Sequence, residues 1–496
     1  MDVIIWTSGQ TVDDHYVPYR YLGPYKIAHS CRTAGYQVQV IDFITSMDED
    51  RLYQITCKFI NNDTVVLAIS TTFLCQRWWY WPDGTRARIP YHLYRVLNRI
   101  KAEHPTIMII LGGYQSDAVA RSAVADASVN QYGEDIFVDV INHLKKGTPE
   151  PPFEMRPTGY DPTYKRKTYL RPLSIKHNIQ SDNHLFTDQD CIIPGETLPI
   201  EISRGCIFSC KFCNHLLLGR GKLDYLRSFE CVEAEMCHNH AKWGITNYFV
   251  ICDTFNDTET KMKAWHSMVS RLPFKIQYTA YLRADLLHRF QDVPYLLKET
   301  GLATAYHGIE SLGVEASQIV GKGWSGKHAR EWIPTLYHDI WGKKVLQHLS
   351  FIVGLPGDTK ESLVDTVYWF AQNDLYSAVM QTLNINRKIG NHSEFERNHA
   401  KYGFRFPNDN IDMWETDYWT QQEASEFNIN ILTPMLNKHN AWLKSWDILA
   451  LMSLGYKLTD FDKTQQRPGQ YVFVAEEIKN RHAVFVTQYN QLLDSI

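Results

Sequence analysis

Long apolar runs are missing from this sequence. Its most hydrophobic stretches, VVLAIS (65–70) and IMIILGG (107–113), fall far short of the roughly 18 residues that a membrane helix needs. An excess of charge is missing too: Lys plus Arg is 51 against 55 for Asp plus Glu, leaving −4. That balance gives no general electrostatic footprint for nucleic acid, although TYKRKTYLRP (163–172) is locally basic. With 27 Gly and 20 Pro in 496 residues, collagen-like and low-complexity classes are excluded. The first residues, MDVIIWTSGQTVDDH, lack a basic leader region, so a first strand is expected there rather than a signal peptide. Cysteine is scarce, at 10, and no export signal is apparent. A cytoplasmic, reducing setting is therefore expected, where clustered thiols indicate metal or redox chemistry more than disulfides.

What is present is an ordinary globular composition, 44% hydrophobic and 21% charged, on a chain long enough for about three domains. Across 1–147, short apolar runs at 3–6, 38–43, 65–70, 107–113 and 127–133 alternate with segments of helical period, such as DIFVDVINHLKKG. This alternation predicts βαβ units and a parallel sheet covered on both faces, an α/β domain of flavodoxin-like type. The aromatic loop RWWYWPDGTRARIP (77–90) interrupts it at a strand's carboxyl end. Residues 148–197 lack periodicity and read as a connecting segment. From 198 to 390 six further βα units follow, with strands at 198–203, 246–252, 275–282, 303–310, 345–354 and 378–385. Six units suggest a partial (β/α)6 barrel with its reactive groups where strands end. Residues 391–496 are rich in aromatics, then helical in period from Glu423 to Leu454, and are expected to form a mostly helical carboxy-terminal domain.

Directly after the first barrel strand comes ISRGCIFSCKFCNH, which spaces Cys206, Cys210 and Cys213 as C-x3-C-x2-C. Thiolates this close can converge on one soft metal centre. Three ligands leave one iron of a cubane cluster open to chelate a small molecule. A closed zinc knuckle completed by His215 or Cys191 is the bland alternative. Cys31, Cys57, Cys75, Cys231, Cys237 and Cys252 are scattered and expected to be small core residues.

With Phe212 as the aromatic before the third cysteine, this signature resembles that of the radical S-adenosylmethionine (SAM) superfamily. The resemblance implies a [4Fe–4S] cluster on Cys206, Cys210 and Cys213, with SAM's amino and carboxylate groups on the fourth iron. An electron from the cluster would cleave SAM to methionine and a 5′-deoxyadenosyl radical. It also implies that Phe212 lies near the adenine. YHGIES (306–311) matches a family segment that meets the ribose hydroxyls, which gives Glu310 that role and Ser311 a lesser one. Arg283 in YLRAD could pair with SAM's carboxylate or form an ion pair in the barrel mouth. Many relatives carry a glycine-rich segment after the second strand; here VICDTFND replaces it, leaving Asp253 to touch SAM or to cap a helix. In FIVGLPGDTKES (351–362), Gly354 falls where the family approaches the adenine, and Asp358 or Thr359 can cap the next helix. Asn384 and Asn386 come after the sixth strand.

A βα domain ahead of such a barrel resembles the cobalamin-binding branch. Gly112 and Gly113 in LGGYQSD would then let backbone pass near a corrin or its nucleotide tail. The Asp-x-His-x-x-Gly signature of several cobalamin proteins is absent, and DDHYVP (13–18) does not replace it, so bound cobalamin stays open. With cobalamin, methyl transfer to an unactivated carbon is the expected reaction; without it, other radical rearrangements or oxidations are. A reducing donor such as flavodoxin or ferredoxin is implied, with no membrane partner. The competing reading is a nucleic-acid-binding protein with a structural metal site, which leaves the GIES and GLPG segments unexplained. No Ser/His/Asp arrangement or P-loop offers another catalytic centre. The substrate is not legible.

Overall fold

The computed structural model describes residues 1–9, 11–12, 15–16, 19–72, 74, 79–113, 124–129, 133–147, 153–157, 168–172, 178–213, 224–342, 344–375, 377–385, 393–407, 413–438 and 470–496. The first sheet holds β1 (Val3–Trp6), β2 (Val38–Ile41), β3 (Val66–Ser70), β4 (Met108–Gly112), β5 (Ala127–Val129), β6 (Phe153–Pro157) and β7 (Thr168–Pro172). They lie in the order β2-β1-β3-β4-β5-β7-β6. The five strands expected from the apolar runs are parallel and take the 2-1-3-4-5 order of a flavodoxin-like sheet.

Alternation along each strand decides which layer it feeds. In β1, Val3 and Ile5 join one core with α1 (Leu22–Thr33) and α4 (Gly133–Lys146), while Ile4 and Trp6 join another with α2 (Glu49–Phe59) and α3 (Tyr91–Glu103). The apolar stripes of α2 (Leu52, Ile55, Phe59) and α3 (Leu93, Val96, Leu97, Ile100) keep helical spacing and are buried. Asp48 starts α2 by accepting the Arg51 N–H at 2.7 Å.

The segment expected as a plain connector does more than connect. β7 extends the sheet in parallel beside β5, and β6 pairs antiparallel with it at the edge. Prolines and basic residues hide the alternation in TYLRP, and its partner strand lies forty-odd residues upstream, beyond the reach of a local pattern.

The second sheet runs in chain order: β8 (Thr197–Ile200), β9 (Asn247–Val250), β10 (Gln277–Leu282), β11 (Leu302–Glu310), β12 (Leu346–Val353) and β13 (Ser377–Thr382). All neighbours are parallel, as a partial barrel requires. Its helices include α5 (Phe229–Trp243), α6 (Glu259–Arg271), α7 (Val314–Val320), α8 (Gly326–Thr335) and α9 (Lys360–Gln372). The carboxy-terminal residues do not share one core of their own. Phe395, Phe404, Trp414, Trp419 and Leu432 join the barrel's core, whereas Phe485, Tyr489 and Leu493 of α10 (Gln470–Ser495) join the first domain's. The helical period expected from Glu423 is met by consecutive turns from Gln421 to Lys438, and the rest of that stretch lies outside the described residues. Among the described residues no helix is long and apolar enough to cross a membrane.

One fully buried guanidinium fastens three parts of the chain. Arg20 donates from Nε to both Glu196 oxygens at 2.9 and 3.0 Å, and from Nη1 to the Tyr25 hydroxyl at 2.6 Å and the Asp190 carbonyl at 3.0 Å. Its Nη2 donates to the Cys191 carbonyl at 2.6 Å. The Tyr25 hydroxyl in turn donates to Asp42, whose backbone N–H is received by the Tyr489 hydroxyl of α10 at 2.7 Å. The Tyr489 ring lies 5.3 Å from the Arg20 guanidinium carbon. Tyr489→Phe is expected to cost about 1–3 kcal/mol, because the Asp42 N–H is left buried without an acceptor. Tyr489→Ala is expected to cost about 3–5 kcal/mol through the lost ring. Urea denaturation of both variants checks this; equal losses would show that the ring adds nothing beyond its hydroxyl.

Candidate active site

The cysteine loop leaves β8 through a run of long-range anchors. Lys26 of α1 pairs with Asp182 and with Glu201, just beyond β8. Arg204 pairs with Glu201 at 2.7 Å and with Glu134 of α4 at 2.8 Å. Burial alone would raise the Glu201 carboxyl, but Arg204 and Lys26 together hold it well below the usual carboxylate range. Gly205 turns the chain at φ 83°. Farther on, the Lys211 N–H donates to the Val320 carbonyl of α7 at 3.1 Å, and its carbonyl accepts the Phe395 N–H at 2.9 Å. The loop is thus held from the first domain, the barrel and the carboxy-terminal segment.

Cys206, Cys210 and Cys213 are half-buried thiols on this loop, none of them in a disulfide. Cys206 Sγ lies 3.3 Å from the Thr254 hydroxyl at the end of the β9 turn. Burial pushes the Cys206 thiol up, the Thr254 contact offsets part of this, and the exposed Asp253 adds to it. Cys210 Sγ accepts from Arg283 Nη1 at 3.6 Å, and the Arg283 guanidinium lies 4.1 Å from the Phe208 ring centre. Among the described residues no three His, Cys, Asp or Glu side chains close around a single ion. Cys191 is buried in the first domain's core with its sulfur 3.8 Å from the Gln189 carbonyl, so it does not complete a knuckle. His215 lies outside the described residues. Three soft sulfur donors on one half-buried loop, one of them accepting an N–H bond, fit the donor set of an iron–sulfur cluster.

Arg283 is committed inside the barrel mouth. It forms a bidentate pair with Asp285, at 3.0 and 2.7 Å, and donates to the Lys322 carbonyl at 2.7 Å. The ion pair expected for it is present, with Cys210 added. Glu310 ends β11 at a register shift and takes a left-handed backbone, φ 69°, unusual for a side chain of its size. Its Oε1 accepts from Lys322 Nζ at 2.6 Å, and the same ammonium bonds the Gly308 carbonyl at 2.5 Å and lies 6.0 Å from the Phe212 ring centre. Phe212, Arg283 and Glu310 therefore surround one mouth with the cysteine loop. Lys322 escapes a motif reading; the flanking Gly321 and Gly323, at φ 78° and 84°, are its sequence signal.

Other expected residues have different neighbours. Ser311 donates to Asp358 Oδ1 at 2.8 Å and accepts the Gly313 N–H at 2.9 Å. Thr359, not Asp358, caps α9. Gly354 has φ 96°, and a Cβ on it would lie 2.4 Å from the Trp414 ring, so an indole of the carboxy-terminal segment fills this space. Gly113, at φ 102°, packs on Thr72, where a Cβ would meet the hydroxyl at 2.3 Å; at Gly112 a Cβ would meet none of the described residues within 4 Å. Gly112 ends β4 and Gly113 follows it, beside the hydroxyl rim of Thr7, Ser8, Thr45 and Thr71 just past neighbouring strand ends. A glycine and small polar side chains at the ends of parallel strands fit the close approach of a large planar group there. Asn384 is exposed, and Asn386 lies outside the described residues. In the aromatic loop, Trp79–Tyr80 pairs with Arg86–Ala87, and Trp81 turns back onto Tyr94 of α3 at 4.4 Å; residues 77 and 78 lie outside the described set.

Asp358 gives this region a measurable pH dependence. Burial pushes its carboxyl up to about 7, against the pull of Ser311 and Ser362, and Oδ2 has no partner among the described residues. The stability tied to its proton is present below pH ~4 and is lost as pH rises toward 7, because the unfolded chain ionises first. Asp358→Asn should therefore gain on the parent, by on the order of a few kcal/mol, between pH 4 and 8. Thermal denaturation across that range checks it; a constant difference would refute the assignment.

No family model matches this sequence. An uncharacterized methyltransferase of Pyrococcus horikoshii is 25% identical over 300 residues, 58% of this chain and 62% of the relative, so the chain spans under two thirds of that protein. Among solved structures, TsrM of Kitasatospora setae, a radical SAM methyltransferase with cobalamin and a [4Fe–4S] cluster bound, superposes with a TM-score of 0.65 at 13% identity, covering 97% of this chain and 100% of its own. The cobalamin-dependent SAM radical enzyme OxsB, with aqua-cobalamin bound, gives 0.61 at 13% identity, covering 100% and 80%. Through both sheets and the carboxy-terminal segment, the chain has the fold of the cobalamin-dependent radical SAM enzymes.

Proposed function

We propose that the chain is a radical SAM methyltransferase that uses cobalamin as its methyl carrier. The observation that carries this reading is the cysteine loop: three half-buried thiols at the mouth of a parallel barrel, on the side where Phe212, Arg283 and Glu310 meet. When bound, the cluster would supply the electron that cleaves SAM, and cobalamin the methyl group to be transferred. Cys206, Cys210 and Cys213 would hold the cluster, and the Arg283 N–H on Cys210 would favour the more negative form of that sulfur. Glu310 would orient the ribose by accepting from its hydroxyls, with Phe212 as a wall for the base. Gly112 and the hydroxyl rim would lie under the corrin.

Between the two domains the substrate would meet Tyr281, backed by buried aromatic rings. Tyr19 of the first domain packs edge-on against Phe249 at 5.4 Å, and Tyr281 on the neighbouring strand leaves 38% of its surface open. We place the protein in the cytoplasm, with a low-potential flavodoxin or ferredoxin as donor. Its work would be to exclude water around the reacting centres and to orient them.

Anaerobic purification with iron, sulfide, zinc and cobalt analysis is the test. About four irons per chain are expected, with cobalt taken up on reconstitution with hydroxocobalamin. Cys213→Ala should lose the iron and all 5′-deoxyadenosine formation. Zinc without iron, or 5′-deoxyadenosine still formed by the variant, would overturn the reading; iron without cobalt uptake would remove the methyl carrier.

A further inference from the structure

Resting on that reading, we propose that Lys322 is the positioning residue that presents Glu310 to the ribose of SAM and ties it to the cluster loop. Its ammonium takes Glu310 Oε1 at 2.6 Å, and Oε2 has no partner among the described residues. One oxygen is thereby fixed and the other left to accept a hydroxyl. Both side chains are over nine-tenths buried, so the pair is exchanged for water only at a cost. Gly308 leaves the room it needs: a Cβ there would lie 2.4 Å from Glu310 Oε1 and 2.8 Å from Lys322 Nζ. The left-handed glycines on either side bend the chain so that the lysine returns into the mouth. At the same residue the backbone carbonyl accepts from Arg283 Nη2 at 2.7 Å, and Arg283 Nη1 donates to Cys210 Sγ. A continuous path thus runs from Cys210 through Arg283 and Lys322 to Glu310.

Without the ammonium, the Glu310 carboxylate loses its fixed orientation at a strained backbone position and the ribose contact weakens. The cluster ligands themselves are untouched. The test uses reconstituted holoenzyme with its cluster oxidised, so that SAM binds without being cleaved, titrated calorimetrically with SAM and with its 2′-deoxy analogue. The parent should bind SAM about tenfold tighter than the analogue, the worth of one charge-assisted hydrogen bond. Lys322→Met should keep its iron, bind SAM about tenfold more weakly, and discriminate between the two ligands by no more than about twofold. Lys322→Arg, which keeps the charge, should restore most of the discrimination.

A Met variant that holds iron and still discriminates as the parent does would overturn the proposal. So would equal losses for both ligands, which a merely structural lysine would give. Should Lys322→Met lose its iron, Lys322→Gln carries the same comparison, and loss of iron in both would make Lys322 a residue of the fold alone. A parent that holds iron but binds neither ligand would instead sink the functional reading, and the proposal with it.

Discussion

The rest of the molecule depends on how buried charge is neutralised where its parts meet. A guanidinium with no exposure is tolerable only if its N–H groups find acceptors and a carboxylate balances its charge. Arg20 places four of its five N–H groups on acceptors and its charge against Glu196, using groups from the first domain, the connecting segment and, through Asp42, α10. A second seam, Lys26 with Asp182 and Glu201 and Arg204 with Glu134, leads from the first domain to the residue two places before Cys206. Hydrophobic contacts would bring the two domains together in many orientations. These directional pairs select one, and the selected orientation sets where the cysteine loop begins.

The barrel mouth applies the same physics on a smaller scale. Glu310 lies in a backbone region that costs a residue of its kind roughly 1–3 kcal/mol. The register shift at Gly308 and the pair with Lys322 hold it there. Arg283 is similarly over-determined by Asp285, Lys322, Cys210 and Phe208. Side chains bound so fully do not reorganise when a ligand arrives, and a site already in its working geometry need not order itself on binding.

The features legible in the sequence are those set by chain proximity. Apolar runs separated by helical periods reveal eleven strands, because a strand buried on both faces needs nothing but its own residues to be recognised. The C-x3-C-x2-C spacing and the GIES segment are legible for the same reason. β6 and β7 are not, since Pro157 and Pro172 mask the pattern and the pairing is remote. Nor are the neighbours that decide what each site residue does. Arg283 is visible, but its carbonyl partner lies 39 residues on. Gly354 is visible as a place of close approach, yet the ring that approaches it, Trp414, comes from beyond the barrel.

That ring belongs to a segment that covers part of what an open barrel of six strands leaves bare. An open sheet leaves the β13 edge with unpaired backbone groups, and the ends of its strands exposed to water. Asn428 caps the edge by donating from Nδ2 to the Met380 carbonyl at 2.9 Å. Trp414 donates to the Leu383 carbonyl at 2.9 Å while its ring lies over Gly354, and Trp419 donates to the Asp358 carbonyl at 2.8 Å. Phe395, in the same segment, holds the Lys211 carbonyl of the cysteine loop. One stretch of chain thus bonds a carbonyl of the edge strand, covers strand ends and steadies the loop between Cys210 and Cys213. These residues are therefore part of the frame of the site, and a barrel cut at residue 390 would keep the three cysteines but lose the backbone bond from Phe395 to the Lys211 carbonyl of their loop.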